Sequence, residues 1–207
     1  RERVRAAADA LGYVASATAS SLASGRAENI GVVVALIDRW FFARVLDGIA
    51  SRLAPEGYDI TLYNVTDDPA QRRHLFETSL RRGRVDGLIV INAELKEPER
   101  DLIRRLDLPV VAVGTRHDDW PLIGIDDQAT VTVATEHLLD LGHHRIAYLG
   151  SVPESFSTVN TPRARLEGFR TAMARRGVAV REDWIVECDW SAGDAFARGT
   201  DLLRDAG

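Results

Sequence analysis

The chain has 207 residues, 26 of them basic and 31 acidic, for a net charge of −5; 45% are hydrophobic and 28% charged. That balance excludes disorder and excludes a chain that coats nucleic acid through bulk positive charge, though not a local basic element. A single cysteine, Cys188, excludes an intramolecular disulfide framework, and no apolar run approaches the ~20 residues of a membrane span.

Residues 1–14, RERVRAAADALGYV, place Val4, Ala7, Ala8 and Leu11 at helical spacing, with Gly12 where a C-cap belongs. Residues 15–27 are rich in Ser and Ala and hold one large apolar residue, Leu22, which reads as a linker. Residues 1–26 carry a net +2 and the remainder −7, so the sign of the charge changes at this linker. A start at Arg1 inside a helical pattern, and an end at Gly207 just after another, read as a piece of a longer protein.

From Glu28 onward strands and helices alternate. Strand-like runs are 30–36, 58–65, 86–91, 109–114, 122–126, 145–150 and 184–188, several of them almost continuously apolar and β-branched, as in parallel strands buried on both faces. Six apolar stripes at helical spacing lie between and after them. They are Phe42, Val45, Leu46, Ile49 and Leu53; Leu75, Phe76 and Leu80; Leu102, Ile103 and Leu106; Val131, Ala134, Leu138 and Leu141; Leu166, Phe169 and Met173; and Phe196, Gly199, Leu202 and Leu203. Such alternation predicts an α/β fold of right-handed βαβ units in a doubly wound parallel sheet. Ligands of these sheets bind beyond the carboxyl ends of the strands. The informative segments are therefore 38–42, 64–68, 92–94, 114–117, 126–128, 151–165 and 189–191.

No catalytic grouping is visible. The segment after the first strand, ALIDRWFF, is not a dinucleotide-binding turn, and there is neither a phosphate loop nor a nucleophile elbow. His137, His143 and His144 lack the Cys or carboxylate partners of a zinc set and read as residues at a helix C-terminus. Cys188 lies within a strand and reads as a small core residue. No metal and no cofactor is expected.

What remains is aromatic and polar. Trp40, Phe41 and Phe42 follow the first strand, and Trp190 follows the last, between Asp189 and Ser191. Arg163 and Arg165 begin the helix that contains Gly168 and Phe169. A ring face with directional donors suits a sugar or a nucleobase. Phe42 and Phe169 are equally well read as core. Arg165 at a helix start opposes the helix dipole, which favours a bound partner over a solvated charge.

Several stretches together resemble the lac repressor/galactose repressor family of bacterial transcription regulators. They are RVRAAADALGYVASATASSLASGR, IGVVVALIDRWFFARVLDGI, GYDITLYNVTDDP, RRGRVDGLIVI, PVVAVG, IDDQ, HLLDLGHHRIAYLG, RARLEGF and ECDWSAGDAF, in the family's order over essentially the whole chain. The resemblance implies a helix-turn-helix headpiece, a hinge helix and a two-lobed core like that of periplasmic sugar-binding proteins. On this chain it implies the last headpiece helix at 1–14, the hinge at 15–27, a first lobe at 28–125 and part of a second lobe at 126–207. The recognition helix would precede Arg1, and the rest of the second lobe would follow Gly207.

Residue by residue, the resemblance assigns effector contacts to Phe41, Phe42, Asp126, Thr161, Arg165 and Trp190. It assigns the hinge's DNA contacts to Ser16, Ser20 and Leu22, with Leu22 as a minor-groove wedge or as packing between paired hinges. There are departures. The usual Pro-Asn at the hinge start is Ala15-Ser16, the usual hinge arginine is Ser20, and the usual Asp after Val113 is Gly114. The function implied is a cytoplasmic, homodimeric repressor, not an enzyme and not a membrane protein. Its partners are operator DNA and a small effector, a sugar before a purine or another metabolite. The alternative is a periplasmic-type sugar-binding protein of a transport system, against which the basic helix and hinge argue.

Overall fold

A computed structural model describes residues 25–82, 84–151, 161–189 and 191–205, together with residue 10. Ser16, Ser20, Leu22 and Trp190 lie outside the described residues.

The first lobe is built on the run that begins at Asn29. Strand β1 (Asn29–Val34) is buried from Gly31 onward. Alternation along the strand sends Val33 to one face, into a cluster with Tyr63, Phe76 and Leu88. Val32 and Val34 go to the other face and pack with Phe42 and Ile91. Helix α1 (Trp40–Leu53) covers that second face through Phe42, Val45, Leu46 and Ile49. The chain returns through β2 (Asp59–Asn64) to α2 (Pro69–His74). Asp68 caps α2 by accepting from the Ala70 amide at 2.8 Å, and Pro69 occupies the first turn, where no donor is lost. The helix then widens into a π turn over Leu75–Ser79 and tightens over Leu80–Arg82. Leu75, Phe76 and Leu80 are buried from this stretch, as their spacing predicts.

Strand β3 (Gly87–Ile91), helix α3 (Glu97–Arg104), β4 (Val110–Val113) and the short β5 (Leu122–Ile123) complete the lobe. All five strands are parallel, in the order β2-β1-β3-β4-β5. The winding direction reverses between β1 and β3, which pair from Ile30 with Gly87 to Val34 with Ile91. A crevice opens at such a switch point, beyond the carboxyl ends of the strands.

The second lobe holds α4 (Asp127–Asp140), β6 (Tyr148–Gly150), α5 (Thr161–Arg175), β7 (Ile185–Glu187) and α6 (Ala192–Asp205), with β6 and β7 parallel. Its core is Leu139, Leu166, Phe169 and Met173. Phe169, for which a core and a binding role stood equal, is a core residue. Helices α4 and α5 meet closely at Gly168, where a Cβ would stand 2.3 Å from the Gln128 carbonyl oxygen.

Two helical faces differ from expectation. On α4 the buried residues are Thr132, Thr135 and Leu139, while Leu138 and Leu141 are exposed. The threonines can be buried because their hydroxyls donate within the helix, Thr135 to the Val131 carbonyl at 2.8 Å and Thr132 to that of Gln128 at 2.9 Å. On α6, Phe196 and Leu203 face outward, each 77% exposed.

Candidate functional site

The strand-end rule points to the segments that follow β1, β3 and β4 in the first lobe and to Ser151 and Asp189 after β6 and β7 in the second. After β1 the backbone turns at Asp38 and enters α1 with Arg39 at the N-cap. Three aromatics follow, and the helix sends them different ways. Trp40 is 74% exposed and Phe41 36%, and their rings meet edge-on at 6.3 Å. Phe42 is fully buried beneath β1, so it presents no surface to a ligand. The expectation of an aromatic pair at the crevice is corrected accordingly: the exposed pair is Trp40 and Phe41.

After β3, Asn92 adopts a positive φ of 46° and is buried. Its side chain fills the space above Gly114, where a Cβ would stand 1.9 Å from Asn92 Oδ1. Gly114 itself has a φ of +84°, so both clash and backbone conformation require glycine after β4. Where the resemblance led one to expect a carboxylate, the lobe therefore has a buried amide and a bare backbone. A few residues on, His117 is buried against Trp120, with ring centroids 5.1 Å apart, and its Nε2 lies 3.1 Å from the Ala93 carbonyl oxygen, to which it donates. Burial holds the His117 imidazole below its ordinary range, against the pull of that carbonyl.

The flank of these loops is fastened by one ion pair. Arg72, 6% exposed, gives its Nε to Glu99 Oε1 at 2.7 Å and its Nη2 to Oε2 at 2.6 Å. It also donates to the carbonyls of Thr66 and Glu94, and Glu99 accepts from the Lys96 amide at 2.8 Å. The network ties the loops after β2 and β3 to α2 and α3 with its donors and acceptors matched. That completeness makes a buried charge pair tolerable.

In the second lobe Asp126 caps α4, accepting from the Ala129 amide at 2.9 Å. Asp127 binds Arg165 Nε at 2.8 Å, so the arginine at the start of α5 does have a partner, a carboxylate of the neighbouring helix. Thr161 opens α5 and is buried. Ser151, after β6, donates to the Cys188 carbonyl at 3.1 Å. Cys188 is buried at the end of β7, as expected of a core thiol, and burial pushes that thiol up. The Asp189 amide donates to Asp194 at 2.7 Å, which holds the loop after β7 against the start of α6. A hollow of about 520 Å³ along β7 is lined by Cys188, Asp189, Asp194 and Arg198. Among the described residues no group of three or more His, Cys, Asp or Glu could hold a metal, and no helix is long and apolar enough to cross a membrane.

Among the described residues, an ion pair joins the lobes across the crevice. Arg39 Nη2 lies 2.9 Å from Asp189 Oδ1. Both residues fall in the strand-end segments marked by topology, yet neither stands out in the sequence as a binding residue. Of the expected effector residues, Phe41 lies in the first turn of α1, Asp126 at the N-cap of α4, and Thr161 and Arg165 in the first turns of α5, while Phe42 is in the core.

The family described as periplasmic binding proteins and sugar binding domain of LacI family matches residues 27–205. Among curated proteins, the chain is 34% identical over 203 residues to the HTH-type transcriptional repressor PurR of Photobacterium profundum, covering 94% of this chain and 58% of that protein. It is 30% identical over 206 residues to the maltose regulon regulatory protein MalI of Escherichia coli, covering 98% of this chain and 59% of that protein. Among solved structures, the transcription regulator CcpA of Lactococcus lactis superposes with a TM-score of 0.63 at 25% identity, covering 86% of this chain and 64% of that one. The chain thus spans a little under three fifths of the length of these curated relatives.

Proposed function

The chain belongs to the family of periplasmic binding proteins and sugar binding domains of the LacI family, and from that premise we propose that it is the effector-binding core of a DNA-binding transcription regulator, a repressor. The observation that carries this reading over a transport protein is the extent of the likeness to repressors. It covers 98% of the chain in one relative and so reaches into the residues before β1 that read as headpiece and hinge. In this reading residues 28–125 and 126–207 form the two lobes, and residues 15–27 form the hinge, where Ser16, Ser20 and Leu22 meet the duplex. The protein acts in the cytoplasm as a homodimer and carries out no catalysis.

The effector, a sugar in the first instance, sits between the lobes against Phe41, Asp126, Thr161, Arg165 and Trp190. It binds one arrangement of the lobes more tightly than the other and so shifts the population of dimers whose hinges can engage an operator. A coupling of ~1–3 kcal/mol changes operator affinity about 5–150-fold. The residues encoded ahead of Arg1 test the assignment. A helix-turn-helix pattern is expected there; a cleavable export signal would overturn the regulator in favour of a transport-linked sugar-binding protein.

A further inference from the structure

Arg72 and Arg39 of the first lobe both meet a carboxylate through the same edge of the guanidinium, and they use that edge differently. Arg72 meets Glu99 with both Nε and Nη2, at 2.7 and 2.6 Å, a complete two-pronged fork. Arg39 meets Asp189 through Nη2, at 2.9 Å. Its Nε is buried and has no hydrogen-bond partner; a carboxylate oxygen of Asp38 stands at 3.7 Å, too far to accept. A desolvated donor on a charged group is costly to leave unmet, and such exceptions call for an explanation. This one lies between the lobes, where the loop after β1 meets Asp189 after β7.

We propose that Arg39 is the anchor for an anionic group, carboxylate or phosphate, on the effector, and that Asp189 is the group this anion displaces. The inference rests on reading the crevice as the effector site. Two oxygens of a planar or tetrahedral anion fit the Nε–Nη2 edge, as Glu99 does on Arg72. The incoming group satisfies the orphaned Nε and takes over the ion pair that Nη2 makes with Asp189. Asp189 then releases Arg39, and the link between the lobes passes from a protein ion pair to the ligand. Trp40 and Phe41, exposed directly after Arg39, offer ring faces for the uncharged body of the same molecule. The effector class is therefore an acidic sugar derivative or a compact phosphorylated metabolite rather than a neutral sugar.

The test is calorimetric titration of the full-length protein with matched pairs: gluconate and glucose 6-phosphate against glucose, and ribose 5-phosphate against ribose. Binding by an anionic member at least tenfold tighter than its neutral counterpart is expected, and whether the carboxylate or the phosphate does so decides between the two anions. Arg39→Met should lose tenfold or more of that affinity. Arg39→Lys should lose an intermediate amount, because a lysine supplies charge without the planar fork. Asp189→Asn, which removes the competing carboxylate, should tighten anion binding severalfold. Equal affinity within the pairs, no heat from any anion, unchanged affinity in Arg39→Met, or weaker binding in Asp189→Asn would each overturn the proposal. Operator binding measured on the same preparation separates the two readings. A protein that binds DNA but answers only to neutral sugars keeps the regulator and loses the anion site, and one that takes the anion but never binds DNA does the reverse.

Discussion

The flank of the first lobe and the crevice beside it are built from the same chemistry to different ends. On the flank, Arg72 and Glu99 are buried, matched at both prongs, and tied to three backbone groups. In the crevice, Arg39 meets Asp189 in an ion pair through Nη2, and the Asp189 side chain is 41% exposed. A complete network resists change, and an incomplete one at a boundary between lobes leaves room for a third party. On the anion proposal, the difference separates residues that hold the lobe together from residues that answer to a ligand.

The sharpest break of that comparison comes from truncating one partner of each pair. Glu99→Ala leaves the Arg72 charge buried and unpaired, and a loss of ~3–5 kcal/mol in unfolding free energy is expected. Arg39→Met removes a partly exposed pair and should cost no more than ~1 kcal/mol. Urea unfolding of the two variants checks both; comparable losses would erase the distinction.

Next in size is Gly114→Ala. The added methyl would overlap Asn92 Oδ1 at 1.9 Å at a φ of +84°, and a loss on the order of 1–3 kcal/mol follows from strain of this kind. Asn92→Ala in the same chain removes the overlap, so the double variant should recover part of the loss, a coupling visible in a double-mutant cycle. Strict additivity would show that Asn92 does not shape the crevice wall.

Loss of the α4 cap through Asp126→Ala is expected to cost ~0.5–2 kcal/mol. A much smaller loss, accompanied by a large loss of ligand affinity, would move Asp126 from scaffold to site.

The smallest effect is a pH dependence. Burial of His117, reinforced by Arg100 and opposed by the Ala93 carbonyl, Glu94 and Asp119, holds its folded-state value below the ordinary 6.5. The unfolded chain therefore takes up this proton first as pH falls. The His117 contribution is whole above about pH 6.5 and declines as pH drops from there toward the lower folded value. His117→Gln should flatten that limb of the urea-midpoint profile, and an unchanged limb would assign it to other groups.

Much of the architecture was legible in the order of residues. Near-continuous β-branched runs such as that of β1 can be buried on both faces only in a parallel sheet, and the expected strands are present, most of them shorter at their ends. The α4 face was not legible, because a search for apolar periodicity passes over Thr132 and Thr135, whose hydroxyls are satisfied inside the helix and so cost little to bury. Among Trp40, Phe41 and Phe42, only the angular position of each around α1 decides which is core. The strand-end rule located the crevice segments without structure. It could not single out Arg39 and Asp189, since nothing local marks either. Their significance arises only when the fold brings the loop after β1 to the loop after β7 and leaves one prong of a fork unused.

In the proposed reading, a ligand in this crevice governs DNA binding. The direct measurement is the affinity of the full-length protein for a duplex selected from a random pool, with and without a crevice ligand such as gluconate or glucose 6-phosphate. Selection of a near-palindromic duplex is expected, with an affinity that the ligand changes about 5–150-fold. Tight ligand binding by a protein that selects no duplex would contradict it.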